Sequence, residues 1–256
     1  MPTPKTAADR TVAEFWRSYV AAGPGGVGYA ARHPLHALRA LLAIQRLRVV
    51  FPTGQSDTPG GEEVRRVLHQ KGPLGLPARW WGYSAVPVID TANSLDSPDA
   101  KRLRYNLRLA EEDGITCRTV PPNERSELLD MANHRERTHP DPAYRVEVPD
   151  NDDLFGHDFW MVAEDEAGQP LLLAVVAIDG DLAVLRYFRT LGDSETHTLS
   201  RSLAHQMIIV ALADRDVKWL LDTNPPANQS NGVRTFQRIV GYRHVRIRRP
   251  RAQQPR

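Results

Sequence analysis

"HDFWMVAEDEAGQPLLLAVVAIDGDLAVLRYFRTL", His157 to Leu191, decides the fold class. It holds three apolar runs separated by the turn signals "EAGQP" and "DGD". Apolar and aromatic runs bounded by Gly, Pro and Asp form strands joined by tight turns, so the stretch predicts an antiparallel meander. The period then changes. "SETHTLSRSLAHQMIIVAL", Ser194 to Leu212, spaces Leu199, Leu203, Met207, Val210 and Ala211 as one face of a helix. "VKWLLD", Val217 to Asp222, is a continuous apolar strand. After the loop "TNPPANQSN" come a helix "GVRTFQRIV", Gly241 as its stop, and a basic strand "YRHVRIRR".

Upstream, "ADRTVAEFWRSYVAA" places Val12, Phe15, Trp16, Tyr19 and Val20 on a helical stripe that "GPGGVG" ends. "HPLHALRALLAIQRLRVV" predicts a second helix with Pro34 in its first turn and Leu35, Leu38, Leu41, Leu42 and Ile44 as its apolar side. A short helix is expected in "GEEVRRVLHQK" and a strand in "SAVPVID", Ser84 to Asp90. Ser97 and Pro98 read as the start of the helix "DAKRLRYNLRLAEED", with Gly114 as its left-handed stop. That helix carries an apolar face at Leu103, Leu107 and Ala110 and a basic one at Lys101, Arg102, Arg104 and Arg108. "ITCRTV" predicts a strand, and "NERSELLDMANHRER" a helix after Pro122. The organisation expected is a helical extension over 1–83 and an α/β domain over 84–256.

The single cysteine, Cys117, excludes an internal disulfide or a multi-thiolate zinc site, and its place in a strand predicts a packing role. No run approaches the roughly 20 apolar residues of a membrane span, and "MPTPKTAADRTVAEFW" lacks the order of a secretory signal. A cytoplasmic location without a membrane partner is the expectation. The net charge of +2 hides an uneven distribution. Residues 1–50 hold seven Lys/Arg against two acids, residues 237–256 hold seven Arg and no acid, and residues 150–166 hold seven acids and no Lys or Arg. Basic ends around an acidic middle suit an anionic partner such as RNA, and equally the solvated faces of an Arg-rich chain.

The order of three strands, helix, strand, helix and strand, with a helix ending in "FQRIVGYRH", resembles the acyltransferase fold of the GNAT superfamily over about residues 85–248. The resemblance implies an α+β fold with a mixed, mainly antiparallel sheet flanked by helices, and transfer of an acyl group to an amine. "SPDAKRLRYNLRLAEEDGITCRTV" is similar to the segment R-x-N-[IL]-x-x-A-x-x-x-G-[IV] of FemABX-type transferases, with Arg104, Asn106, Leu107, Ala110, Gly114 and Ile115 at its positions. "NGVRTFQRIVGYR" resembles the ending G-x-x-x-F-K-x-x-F/Y of that group, with Gly232 and Phe236 matching and Gln237 in place of the lysine. That group and the related lysyl-phosphatidylglycerol synthases take their acyl group from aminoacyl-tRNA.

The turn before the long helix discriminates between donors. Members that use acetyl-CoA carry [RQ]-x-x-G-x-[GA] there, because backbone N–H groups reach a pyrophosphate only where no side chain intervenes. Counting back from Leu203, this chain has Glu195, Thr198 and Ser200 at those positions. At about 4 Å a carboxylate and a phosphate charge repel by roughly 4 kcal/mol at a surface-like dielectric. The tyrosine that serves such enzymes as general acid is replaced by Gln237, whose amide gives up no proton at neutral pH. Both departures favour an aminoacyl ester, whose leaving group is a ribose hydroxyl.

By the same resemblance the reacting carbonyl lies near Tyr187 to Arg189 on one strand and Leu221 to Asn224 on the next. Asp222 and Tyr187 are the candidate catalytic residues, Asp222 as acceptor of the amine proton or as a cap for its own loop. Arg189, His197, Thr198, Asn224, Asn231 and Phe236 are the candidate substrate-binding residues; the asparagines also suit turns, and Thr196 or Thr198 suits an N-cap. His205 is expected as an ordinary, partly buried helix histidine. Trp80 and Trp81 either close the core or stack on a terminal base. Arg46, Arg48, Arg102, Arg104, Arg108, Arg243, Arg246, Arg248 and Arg249 are candidate RNA contacts. No metal is expected, since the spacing of His134 and His139 matches no zinc motif.

The reading is therefore a GNAT-like N-acyltransferase passing an aminoacyl group from aminoacyl-tRNA to the amine of a small molecule or peptide, with no further cofactor. An acyl-CoA-dependent enzyme with an atypical phosphate loop, and an inactive GNAT-like domain that binds RNA or protein, stay open beside it.

Overall fold

A computed structural model describes residues 7–22, 26–46, 48–50, 57–71, 75–92, 95–96 and 100–248. Its helices are α1 (Ala7–Ala21), α2 (Gly26–Arg32), α3 (Pro34–Arg46), α4 (Pro59–Leu68), α5 (Ala78–Trp81), α6 (Val88–Ala92), α7 (Lys101–Glu112), α8 (Arg125–Arg137), α9 (Glu195–Ala213) and α10 (Asn231–Ile239). Its strands are β1 (Arg48–Val50), β2 (Tyr83–Pro87), β3 (Thr116–Thr119), β4 (Phe159–Glu164), β5 (Pro170–Asp179), β6 (Leu182–Thr190), β7 (Trp219–Asp222) and β8 (Arg243–Arg248). They form one sheet in the order β1-β8-β2-β7-β6-β5-β4-β3. The predicted meander is present: β4, β5 and β6 pair antiparallel in sequence order. Parallel pairing joins β6 to β7, as the nineteen-residue α9 returns the chain to the same end of the sheet, and β1 to β8 at the edge. The architecture is the mixed, mainly antiparallel α/β arrangement expected from the sequence.

Alternating side chains divide the core between the two faces of the sheet. Val86, Met161, Ala174, Val176, Leu185 and Leu220 meet α7, α9 and α10 on one face. On the other, Ala177, Val184 and Leu221 meet α4, while Trp160, Leu173, Val175 and Tyr187 meet α8. The N-terminal region is built into this plan: α4 lies against β5 and β6, and β1 extends the sheet. Gly60 lets α4 approach, since a Cβ there would meet the backbone carbonyl of Ile178.

Four expectations change. The helix predicted through Val50 ends at Arg46, because Val49 and Val50 pair with Ile247 and Arg248. Its buried face is Ala40, Ala43 and Ile44, small residues that let α3 close on Phe15 and Trp16 of α1, whereas Leu35, Leu38 and Leu42 are exposed. The strand predicted to Asp90 turns into α6 at Val88. The predicted α9 face shifts: Met207 and Val210 are exposed, and Ser200, Ser202, His205 and Gln206 are buried with Leu199, Ile208, Ile209 and Leu212. Gly114 does end α7 with a φ of 66°, while Ser97 and Pro98 lie outside the described residues. Cys117 packs against the core of the α9 face, and burial pushes its thiol up to about 12.

Candidate active site where two strands part

The pairing of β6 with β7 ends at Leu185 and Asp222, yet β6 runs on to Thr190. Beyond Leu185, the backbone groups that β6 turns towards β7 have no ladder partner there. A bulge lies at the same level: Val175 pairs with Tyr187 and Val176 with Leu185, leaving Arg186 unopposed. The extra residue breaks the alternation. Arg186 and Tyr187 both face α4 and α8, where Arg186 Nε donates to Asp153 at 2.8 Å and the Tyr187 hydroxyl to Glu136 at 2.9 Å. Phe188 returns to the α9 side and stacks on Phe236 of α10, ring centres 5.7 Å apart.

Asp222 also faces α9 and α10, at the carboxyl end of β7. Its Oδ1 accepts the backbone N–H of Asn224 at 2.7 Å, and its Oδ2 accepts Nε2 of Gln237 at 2.8 Å. Behind it, Gln229 donates from Nε2 to Ser84 Oγ at 3.1 Å and to the Asn224 carbonyl at 3.0 Å, so β2, the loop and α10 hold the carboxylate together. Burial raises the Asp222 pKa above the ordinary carboxylate value, against the lowering by its Asn224, Gln237 and Gln229 hydrogen bonds. A carboxylate made more basic, in a gap between strands, is suited to accept a proton. The Asn224 bond closes the loop, which is the cap role read from sequence for Asp222.

Gln237, read from sequence only as the replacement of a lysine or a tyrosine, is a partner of that carboxylate. Its hydrogen bond lowers the Asp222 pKa, so Gln237→Leu is expected to move the ascending limb of the pH–rate profile to higher pH. A profile unchanged in position would remove Gln237 from that role.

Two further buried groups stand here: His205, expected from the sequence to be only partly buried, and Tyr242, which the sequence did not single out. His205 is wholly buried, with neither ring nitrogen hydrogen-bonded among the described residues, and lies 5.8 Å from Phe236 and 5.5 Å from Tyr242, centre to centre. Burial lowers its pKa to about 3, so at neutral pH it is an uncharged imidazole with one donor and one acceptor. The buried Tyr242 hydroxyl is likewise without a partner among the described residues. Burial raises its pKa and the nearby Asp222 charge adds to this, so it stays protonated. Leaving such groups unpaired costs about 1–3 kcal/mol each, a cost more usual in binding sites than in plain cores. The signal available in sequence was a histidine and a glutamine adjacent on the same helix.

The other predicted residues divide. Tyr187 and Arg189 stand on the opposite face from Asp222, both at Glu136, with Arg189 Nε 3.1 Å from that carboxylate. Burial raises the Tyr187 pKa far above the phenol value, and Glu136 reinforces the shift. At the start of α9 the N-cap is Ser194, rather than either threonine, because the helix begins one residue later at Glu195. Its Oγ accepts the His197 N–H at 3.3 Å and meets His197 Nδ1 at 2.6 Å, and the His197 ring packs over Gly192. Thr198 and Ser200 hydroxyls donate back to the carbonyls of Ser194 and His197, at 3.4 and 2.8 Å. This turn is closed on itself. Asn224 and Asn231 are exposed, and Phe236 lines the Asp222 side.

The FemABX-like positions of α7 act in packing: Arg104 donates to the Leu95 carbonyl, and Asn106 Nδ2 to Ser202 Oγ of α9 at 3.1 Å. Arg108 lies 3.4 Å from Glu112, and Arg102 and Arg108 both lie over Tyr105. Arg243 and Arg246 lie on β8, between the edge strand β1 and β2. Arg249 lies outside the described residues, as do the side chains of Arg46, Arg48, Arg248, Trp80 and Trp81. Among the described residues, no group of three His, Cys, Asp or Glu could hold a metal, and no helix is long and apolar enough to cross a membrane.

No family model matches the chain, and no curated protein matches it. Among solved structures it is similar to the C-terminal DUF2156 domain of a protein assigned as a lysylphosphatidylglycerol synthetase from Agrobacterium fabrum, at 16% identity and a TM-score of 0.42, covering 55% of this chain and 45% of that one. It is also similar to L-PGS from Bacillus licheniformis, at 10% identity and a TM-score of 0.47, covering 64% of this chain and 58% of that one. The chain thus spans about half the length of each.

Proposed function

We propose that this chain is an acyltransferase that passes an aminoacyl group from aminoacyl-tRNA to the amine of a small molecule or peptide, forming an amide. The observation that carries the reading is the gap between β6 and β7, with unpaired strand backbone on one side and the Asp222 carboxylate on the other. In this reading the ester carbonyl lies in the gap and directs its oxygen at the free β6 N–H groups. The amine attacks the carbonyl carbon, Asp222 takes the proton the nitrogen sheds, and the ribose hydroxyl leaves with a proton returned to it. Backbone donors aimed at the developing oxyanion and alignment of the reactants supply most of the rate.

The tRNA donor is supported by the start of α9, where Glu195 brings negative charge and the Ser194–His197 contact takes up the first turn. Calorimetry with bulk tRNA and with CoA tests it. Expected is tRNA binding that weakens with salt, log K falling by about 0.7–0.9 per phosphate contact per log unit of salt, and no micromolar CoA binding. CoA binding at micromolar concentration would overturn the donor, and an aminoacyl ester left intact with every amine offered would favour a binding domain over an enzyme.

One observation favours a second reading of the acceptor, a lipid headgroup. Leu35, Leu38 and Leu42 of α3 are 70%, 52% and 50% exposed on one helix face, with Arg39 exposed between them. A leucine stripe beside an exposed arginine suits an anionic bilayer surface.

A further inference from the structure

Arg201 stands on α9 with its guanidinium carbon 4.7 Å from the centre of the Phe236 ring. Phe236 stacks on Phe188 and meets His205 edge-on, so Arg201 caps a column of rings on the α10 helix that also carries Gln237, the partner of Asp222. Among the described residues it makes no hydrogen bond and no ion pair. The charge it senses most is another cation, Arg189, whose carboxylate partner Glu136 is shared with the Tyr187 hydroxyl. Burial and Arg189 both lower the Arg201 pKa, although a guanidinium stays protonated at neutral pH. A partly buried cation without a counter-charge is costly to keep, and its planar fork of N–H donors matches an oxyanion. The first turn of the same helix carries the carboxylate of Glu195, which repels a phosphate, whereas Asp193 just before it is paired with Arg135.

We propose that Arg201 binds a phosphate of the donor, the phosphodiester that joins the terminal nucleotide to the one before it. The assignment rests on the tRNA-donor reading. Phe188 lies on the part of β6 that borders the gap, Phe236 stacks on it and Arg201 lies over Phe236, so with the ester in the gap the guanidinium stands one ring away, where the 5′ phosphate of the ester-bearing ribose would be held. Arg201 is then the positive group that the first turn of α9 lacks.

The test uses the full chain and a synthetic RNA stem ending in CCA, with the last linkage either a phosphodiester or an uncharged methylphosphonate. Arg201→Gln is expected to weaken binding of the phosphodiester RNA by about tenfold to a hundredfold, the scale of a charge-assisted hydrogen bond. The methylphosphonate should weaken wild-type binding by a similar factor, and the two changes together should cost no more than either alone. Additive losses would overturn the assignment while leaving RNA binding in place; RNA that fails to bind the wild type overturns the donor reading with it. Unchanged RNA binding together with lost binding to phosphatidylglycerol vesicles would place the phosphate on an acceptor, and also overturns it. Removing an unpaired cation should leave the thermal midpoint unchanged or higher, so a fall in Arg201→Gln would show a structural role instead.

Discussion

Asp222→Asn is expected to lower kcat by about 10²- to 10⁴-fold, the usual contribution of a positioned general base, with the KM for the donor little changed. The asparagine keeps an oxygen for the Asn224 N–H but accepts no proton. Below the raised Asp222 pKa the wild-type carboxyl is protonated and loses its role, so wild-type activity should rise with pH through that value and then level. The variant should lack this limb. Single-turnover kinetics across pH, with aminoacyl-tRNA and a nucleophilic amine, gives both readouts. A variant that retains the wild-type rate and limb would leave Asp222 as a loop cap, the other role its Asn224 contact supports.

The second large effect concerns the support beneath the opposite face. Trp160 is 1% exposed among Leu128, Leu129, Leu154 and Tyr187, and its Nε1 donates to the His157 carbonyl at 2.8 Å. Trp160→Ala empties the space between β4 and α8 and should cost about 3–5 kcal/mol, a fall in thermal midpoint of roughly 6–20 °C for a chain of this size. Thermal and urea unfolding followed by circular dichroism measures it. A loss below about 1 kcal/mol would mean that α8 closes over the space, contrary to close packing in this cluster. Because α8 carries Glu136, the same variant should loosen the Tyr187 and Arg189 contacts.

Much of the fold was legible because it depends on local pattern. The two hairpins of the meander follow from apolar runs cut by "EAGQP" and "DGD", and the end of α7 follows from Gly114, whose φ of 66° suits glycine. The errors have physical causes. Leucines outrank alanines in any count of apolar periodicity, yet α3 buries Ala40 and Ala43 because the rings of α1 leave no room for larger residues. In α9 the apolar stripe read from spacing lies partly on the surface, since the sheet and α10 enclose the turn bearing His205 and Gln206.

The candidate site was legible to the level of a strand end. Asp222, as the last residue of an apolar strand followed by a loop, could be singled out from its position alone. Its partners could not: Gln237 and Gln229 come from later segments, and Ser84 from a strand 138 positions earlier, brought together by antiparallel pairing of β2 with β7. Tyr187 was grouped with Asp222 because both lie near the same level of neighbouring strands. The bulge at Arg186 turns it to the other face, a displacement of one residue that reverses every side chain after it and leaves no mark in composition.

By itself the sequence determined the order of strands and helices, the α/β class, and a first helical turn at Glu195, Thr198 and Ser200 ill suited to a pyrophosphate, because those properties rest on residue type and spacing along the chain. Only the tertiary structure decided which polar groups share a site. Asp222, Gln237, His205, Tyr242 and the unpaired Arg201 come from β7, α10, α9 and the approach to β8, and their meeting depends on where two parallel strands part and which face each side chain takes.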